Sequence, residues 1–324
     1  MSLLLFLWFL RFKLMSLPDF FQRIRTISRP FLAERMSKIL FIFPVYEKCC
    51  RMKYKFSAVI ITISWIVVIQ ACAPNPHSAT NKSYKKQVKA YSKLLRAYPV
   101  KDSAGLQLAS SWVGTTNFSM RRPNYVIIHH TAQTSCEQTL RTFTLPRTQV
   151  SSHYVICKDG TVHHLLNDLL RGHHAGISKW GNTTDLNSSS IGIEIDNNGF
   201  EEFTEAQINS LLDVLQRVKK AFNIPVANFI GHADIAPGRK IDPNRNFPWQ
   251  KLSQQGFGFW YDTTGVQLPP DFNAMQALRI IGYDSKIDTN AIQSFKLHFV
   301  QKDSSKVITD TDKKILVDLV KKYQ

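Results

Sequence analysis

Two histidines close β-branched or aromatic runs, His129 in "NYVIIHH" and His232 in "NFIGHADI", and an aspartate, Asp242, follows the second by ten residues. Pro237 and Gly238 lie between His232 and Asp242, where they can turn the chain back and let side chains distant in sequence meet. Two histidines and one carboxylate, with one position left for water, make the shell of a catalytic zinc; a structural site is closed by four protein ligands. Water in such a shell has a pKa of about 7, which makes it a nucleophile at neutral pH. Histidines at strand ends are also satisfied by backbone hydrogen bonds, so spacing alone leaves both readings open. Glu194, in "SIGIEI", sits in an apolar strand run where an unpaired carboxylate is costly. It is either half of a buried ion pair or a general base whose burial raises its pKa. Lys240, two residues before Asp242, points into the same cleft or into solvent.

Strands and helices must carry these residues to one place. "NYVIIHH", "SSIGIEI" and "NFIGHADI" read as buried strands, and "HYVICKDGTVHHLL" as a hairpin turning at Asp159-Gly160. Between the last two strands, "FTEAQINSLLDVLQRVKKAFN" places Ile208, Leu211, Leu212, Leu215, Val218 and Phe222 on one helical face. Thr204 and Gln207 fit a capping box, and Phe203 with Ile208 the staple that accompanies it. The expected class is α/β, a mixed central sheet flanked by helices with a zinc cleft, plus a small C-terminal three-helix domain.

The blocks "YVIIHHTA", "SSHYVICKDGTV", "HHAGIS", "SSSIGIEIDNNG" and "GHADIAPGRKIDP", in this order, resemble the zinc-dependent N-acetylmuramoyl-L-alanine amidases of the phage-lysozyme and muropeptide-recycling type, relatives of the peptidoglycan recognition proteins. The likeness is greatest to the outer-membrane lipoprotein members that carry a C-terminal peptidoglycan-binding-like module. It implies one zinc per catalytic domain, held by His129, His232 and Asp242, and hydrolysis of the amide between N-acetylmuramic acid and L-alanine in cell-wall turnover or recycling. His129 rather than His130 is the ligand by the family pattern, and alternation along a strand lets only one of the pair face the cleft. The resemblance makes Glu194 the general base. Some relatives share that work with a tyrosine where this chain has Ser152, so the burden falls on Glu194. Lys240 would stabilise the oxyanion with zinc. His174 matches a substrate-contact position, and Arg171 nearby could meet a peptide carboxylate. His153, His163, His164 and His173 read as structural or surface residues, and Asp234 is passed over by the family pattern.

The 324 residues carry a formal charge of +17, of which +8 lies in residues 1–71, so the remainder is still basic at +9. That suits an anionic wall polymer, a membrane surface or nucleic acid; the absence of an arginine-rich helix, zinc-finger spacing or aromatic-interleaved basic run speaks against nucleic acid. A monomer is expected. The cysteines are Cys49, Cys50, Cys72, Cys136 and Cys157, with no C-x-x-C pair. Cys136 and Cys157 could pair in an oxidising compartment, but two buried thiols are the preferred reading.

From Met52 the chain reads as two lysines, an uncharged run over Phe56–Ala71 and then Cys72, the layout of a secretory signal. The ending "IVVIQAC" resembles a bacterial lipoprotein signal, with Cys72 the lipidated residue and an uncleaved anchor the alternative. Alanine after Cys72 resembles lipoproteins sent to the outer membrane, which would put the enzyme in the cell envelope, lipid-anchored and facing the periplasm. The expected organisation is a non-native upstream extension at 1–51, a signal peptide at 52–71, a tether and lead-in at 72–105, a zinc amidase domain at 106–262 and a helical domain at 268–324. In that last stretch Leu278, Ile281, Ile292, Phe295, Phe299, Ile315, Leu316 and Leu319 would make a three-helix core. "MQALRIIGYD" with "TNAIQSFKLHF" resembles a helical peptidoglycan-binding module; packing against the amidase domain is the other role open to it. The competing functional readings are a module that binds muropeptides without cutting them and a lipid-anchored structural link from membrane to wall. Intact-mass analysis of the native protein is expected to find none of residues 1–51, and any of them in the mature chain would overturn the start at Met52.

Overall fold

The computed structural model describes residues 75–96 and 113–324. The upstream extension, the signal segment and Cys72 lie outside them, as do parts of the tether and the start of the expected amidase domain. The chain divides into two units, residues 1–98 and 99–324. In the first, the segment read as a tether holds helix α1, Ser78–Arg96. Its Lys, Gln, Ala, Leu and Arg content favours a helix, neither Gly nor Pro interrupts it, and Lys93 and Arg96 complement the dipole in its last turn. Among the described residues no helix is long and apolar enough to cross a membrane.

The second unit follows the expected alternation. Strand β1 is Tyr125–His130, helix α2 is Cys136–Thr144, and strands β2 (Tyr154–Ile156) and β3 (Val162–His164) make the hairpin turning at Asp159-Gly160. A short helix α3 (Leu186–Ser189) leads into β4 (Ser190–Ile195), and α4 (Glu205–Phe222) leads towards β5 (Phe229–Gly231). The five strands lie in the order β3-β2-β4-β1-β5, antiparallel only between β2 and β3. After β5 come α5 (His232–Ile235), α6 (Trp249–Gln254), α7 (Ala274–Ile281), α8 (Asp288–Phe295), a π-helical turn over Lys296–Val300, and α9 (Asp310–Tyr323).

Alternation along the strands sends side chains to two separate cores. On one face Val126, Ile128, Ile191, Ile193 and Ile195 pack under α4, whose Ile208, Leu211, Leu215 and Val218 are buried, with Leu212 and Phe222 partly so. The capping box of Thr204 and Gln207 is present, and Phe203 packs against the cluster that contains Ile208. On the other face Ile127 and Ile230 join Ile235, Ala236 and the C-terminal helices in one cluster. All eight apolar tail positions expected from the sequence are in it. The tail thus shares its core with the sheet rather than closing one of its own.

The cysteine reading needs correction: Cys136 and Cys157 form a disulfide, with Cα atoms 5.3 Å apart. Packing of α2 on β2 brings the two half-buried thiols together, which spacing could not reveal. The sulfurs lie near His163, but joined to each other they offer no thiolate to a metal.

Two groups fix the amino ends of β2 and β4, opposite the strand ends that carry the site. The Arg121 guanidinium donates to the carbonyls of Ser188 (2.8 Å), Ser190 (3.2 Å) and Asp168 (2.9 Å). Buried His153 accepts the Gly192 N–H at Nδ1 (3.0 Å) and donates from Nε2 to the Leu170 carbonyl (3.1 Å). A second proton on Nδ1 would face an N–H. Burial and the nearby Arg121 charge lower its pKa from 6.5 to about 4, outweighing the Leu170 bond that raises it. Because the folded pKa lies below the unfolded one, the stability from neutral His153 is present above about pH 6.5 and lost as pH falls towards 4. Denaturant unfolding at pH 7 and pH 4.5 is expected to show a smaller acid loss in His153→Gln than in wild type; equal losses would refute this role.

Candidate metal centre

The site lies at the carboxyl ends of three adjacent parallel strands, where open α/β sheets bind ligands. His129 is the fifth residue of β1, and its register partner on β4 is Glu194. His232 follows the last residue of β5. His129 and Glu194 point to the tail-facing side of the sheet; His130 points to the other, where its Nδ1 accepts the Asn244 N–H (3.0 Å). Asp242 returns to His232 because the loop between them closes on itself, with Ala233 N–H bonded to the Asp242 carbonyl at 2.7 Å. Gly238 makes the turn at φ +76°, and a side chain there would collide with Asn290 of α8. The Asp242–Pro243 bond is cis.

His129 Nδ1, His232 Nδ1 and Asp242 Oδ2 form a triangle with edges of 2.9, 3.0 and 2.9 Å, and all three residues are buried. His232 Nε2 faces the Ala175 carbonyl at 3.1 Å, and a carbonyl can only accept. Its hydrogen is therefore on Nε2, and the Nδ1 lone pair faces the Asp242 carboxylate with no hydrogen of their own between them. A cation resolves that opposition. Ligands about 2.0–2.2 Å from a tetrahedral metal lie roughly 3.3 Å from one another, close to the spacing seen. Burial and the neighbouring His232 push the pKa of His129 down to about 4, against the pull of Asp242, so it presents a neutral ring. The three residues fit a metal.

Glu194 Oε1 lies 4.0 Å from His129 Nδ1, and its Oε2 is buried with no partner. Burial raises its pKa well above the ordinary value; the Asp242 charge adds to this and Lys240 opposes it. Among the described residues no cationic side chain bonds Glu194, which speaks against the buried ion pair. Lys240 is half-buried and its charge acts on both Glu194 and His129.

His174 has its Nδ1 3.2 Å from His129 Nε2, and its Nε2 3.3 Å from Ser190 Oγ, which bonds the Leu186 carbonyl. It stands behind His129 rather than on an open substrate wall. The signal for it was Gly192, a glycine inside a strand: a Cβ there would collide with the His174 ring. Arg171 stands apart from the trio, in an exposed pair with Asp185 (3.1 Å) and bonded to Ser188 (2.9 Å).

Asp234, two residues past His232, has a task the sequence did not disclose. Its Oδ2 accepts the Gly231 N–H (2.8 Å) and His298 Nδ1–H (2.7 Å), and its Oδ1 accepts the Tyr283 hydroxyl (2.8 Å). His298 stacks on Trp249, ring centres 3.8 Å apart. One buried carboxylate thus ties the turn bearing His232 to two residues of the helical tail.

Fold and site together define an α/β protein with a buried group fitted to a metal at the strand ends. A model of the N-acetylmuramoyl-L-alanine amidase family matches residues 119–245. The N-acetylmuramoyl-L-alanine amidase AmiD of Escherichia coli is 34% identical over 210 residues, covering 55% of this chain and 75% of that protein. The solved complex of AmiD with anhydro-N-acetylmuramic acid-L-Ala-D-γ-Glu-L-Lys superposes with TM-score 0.58 at 30% identity, over 68% of this chain and 96% of the other. AmpDh3 of Pseudomonas aeruginosa, in complex with an anhydromuramic pentapeptide, also gives 0.58, at 27% identity over 67% and 99% of the two chains. The chain belongs to the N-acetylmuramoyl-L-alanine amidase family, whose reaction is hydrolysis of the amide between N-acetylmuramic acid and L-alanine in muropeptides.

Tyr283→Phe and His298→Ala are each expected to cost about 1–3 kcal/mol of stability, as a buried acceptor loses a partner, and to weaken metal retention. Thermal unfolding and metal content after dialysis measure both; unchanged retention in the two variants would show that Asp234 does not brace the His232 turn.

Proposed function

We propose that the chain is a zinc-dependent amidase of the cell envelope, with His129, His232 and Asp242 as the zinc ligands and Glu194 as the general base. The observation that carries this reading is the convergence of the trio's ligand atoms beside a buried carboxyl whose Oε2 has no partner. Zinc bound there supplies Lewis acidity, polarising the scissile carbonyl and acidifying water. Glu194 accepts the proton of the attacking water and passes it to the leaving nitrogen of L-alanine. Its raised proton affinity suits the second transfer, and the opposing pull of Lys240 favours the ionised form needed for the first.

Lys240 offers positive charge to the oxyanion, an interaction stronger in the transition state than in the ground state. His174 orients His129: an Nε2–H on His129 donating to His174 Nδ1 leaves the lone pair on Nδ1. Arg171 remains a candidate contact for a peptide carboxylate if its pair with Asp185 opens. The substrate proposed is a muropeptide, including anhydromuramyl peptides, with which AmiD and AmpDh3 were crystallised. The Cys136–Cys157 disulfide supports an oxidising compartment. Together with the sequence ahead of Cys72 it supports a lipid-anchored enzyme at the outer membrane, facing the periplasm. The amidase domain of residues 106–262 then acts on wall fragments, with the helical segment 268–324 alongside it.

Release of free peptide from muropeptides is expected to vanish with chelator and return with zinc. Glu194→Ala should lower kcat by about 10²–10⁴-fold while retaining zinc, whereas Asp242→Ala should lose both zinc and activity. Hydrolysis within a few-fold of wild type in either variant would refute the assignment. Lys240→Ala is expected to lower kcat by roughly 10²-fold with KM little changed; a change confined to KM would make it a binding residue instead.

A further inference from the structure

Helix α1 divides its residue types more sharply than a spacer requires. Over Ser78–Arg96 it carries Lys82, Lys85, Lys86, Lys89, Lys93 and Arg96 and no acidic residue, and none of its residues is buried. At 3.6 residues per turn, Tyr84, Val88, Tyr91 and Leu95 fall at i, i+4, i+7 and i+11 within an arc of about 60°, while the six cations occupy an arc of about 100° on the facing side. Val88, Tyr91 and Leu95 are 38%, 45% and 76% exposed. A helix meant only to span a distance gains nothing from such segregation.

We infer that α1 is an interfacial helix that lies on an anionic lipid bilayer, its apolar stripe among the acyl chain ends and its lysines at the headgroups. Two observations select this occupant. The stripe needs an apolar medium and the opposite face needs negative charge, and a charged bilayer surface supplies both within one helix diameter. An anionic wall polymer meets the lysines but not Tyr84, Val88, Tyr91 and Leu95. The place of α1 in the chain agrees: it starts six residues after Cys72, which itself follows the uncharged run Phe56–Ala71. The inference does not depend on lipidation of Cys72, and its test leaves that residue out.

The protein for the test starts at Ala73, which removes both the apolar run and Cys72. It keeps the compact unit of residues 99–324 and both core clusters, and amidase activity on soluble muropeptides reports folding. It is expected to co-sediment with vesicles rich in phosphatidylglycerol, far less with phosphatidylcholine vesicles, and to be released by salt. Neutralising Lys85, Lys86 and Lys89 together as glutamines should weaken anionic vesicle binding by about five-fold per lysine, roughly a hundred-fold in all, with amidase activity unchanged. Val88→Ser with Leu95→Ser should weaken binding while keeping every charge, which separates insertion from charge attraction alone. Equal binding to both kinds of vesicle, or undiminished binding of the triple lysine variant, would overturn the inference. So would lysine-dependent binding to isolated wall sacculi without binding to vesicles.

Discussion

The structure turns on one electrostatic problem, the facing of His232 Nδ1 and Asp242 Oδ2 at 2.9 Å in a buried setting, with His129 Nδ1 completing the triangle. Lone pairs opposed in a medium of low polarity repel unless something positive sits between them. The surroundings keep the arrangement from relaxing. The Ala175 carbonyl fixes the His232 tautomer, and the turn at Gly238 holds Asp242 against the sheet end. Glu194 adds a carboxyl with an unpartnered oxygen to the same volume, so the protein concentrates acceptors in one place, an arrangement that fits a cation.

Much of this was legible in sequence because it follows from short-range rules. Strand alternation put His129 and His130 on opposite faces, leaving the family pattern to pick His129, and the capping residues Thr204 and Gln207 marked the start of α4. The apolar spacing of the tail named its core residues correctly. The remainder depended on contacts between distant segments. Nothing in the spacing of Cys136 and Cys157 states that α2 packs on β2. Asp234 lies two residues past His232, and only the positions of Tyr283 and His298, far along the chain, explain why a carboxylate is buried there. His174 was noticed for the right neighbourhood, but its place behind His129 follows from the missing side chain of Gly192 on another strand. The helical character of α1 was hidden by its Pro, Asn and Ser flank, which gave the whole stretch the look of a linker.

The tail is the point at which module boundaries read from sequence and physical boundaries part. Its helices have the pattern of a self-contained bundle, yet they cover Ile127, Ile230, Ile235 and Ala236 of the sheet unit, and Asp234 joins the two by hydrogen bonds. Lys296, fully buried, is held within the tail by Asp303 and by Asp312 at 3.1 Å, so the tail has polar fixings of its own as well. A segment tied this closely to the turn that carries His232 is part of the frame of the candidate metal centre.

The two faces of the sheet are unequal in what they can absorb. The face under α4 is an aliphatic and aromatic interior with no candidate catalytic group among its core residues, while the opposite face carries His129, Glu194 and, by way of Gly192, the space for His174. Substitution beneath α4 therefore acts on stability alone, while on the other side it acts on stability and on the candidate site together. A lineage of this protein can retune its melting temperature by repacking beneath α4 while its chemistry stays fixed, so adaptation to heat or cold and adaptation to new wall chemistries have separate territory in the same fold.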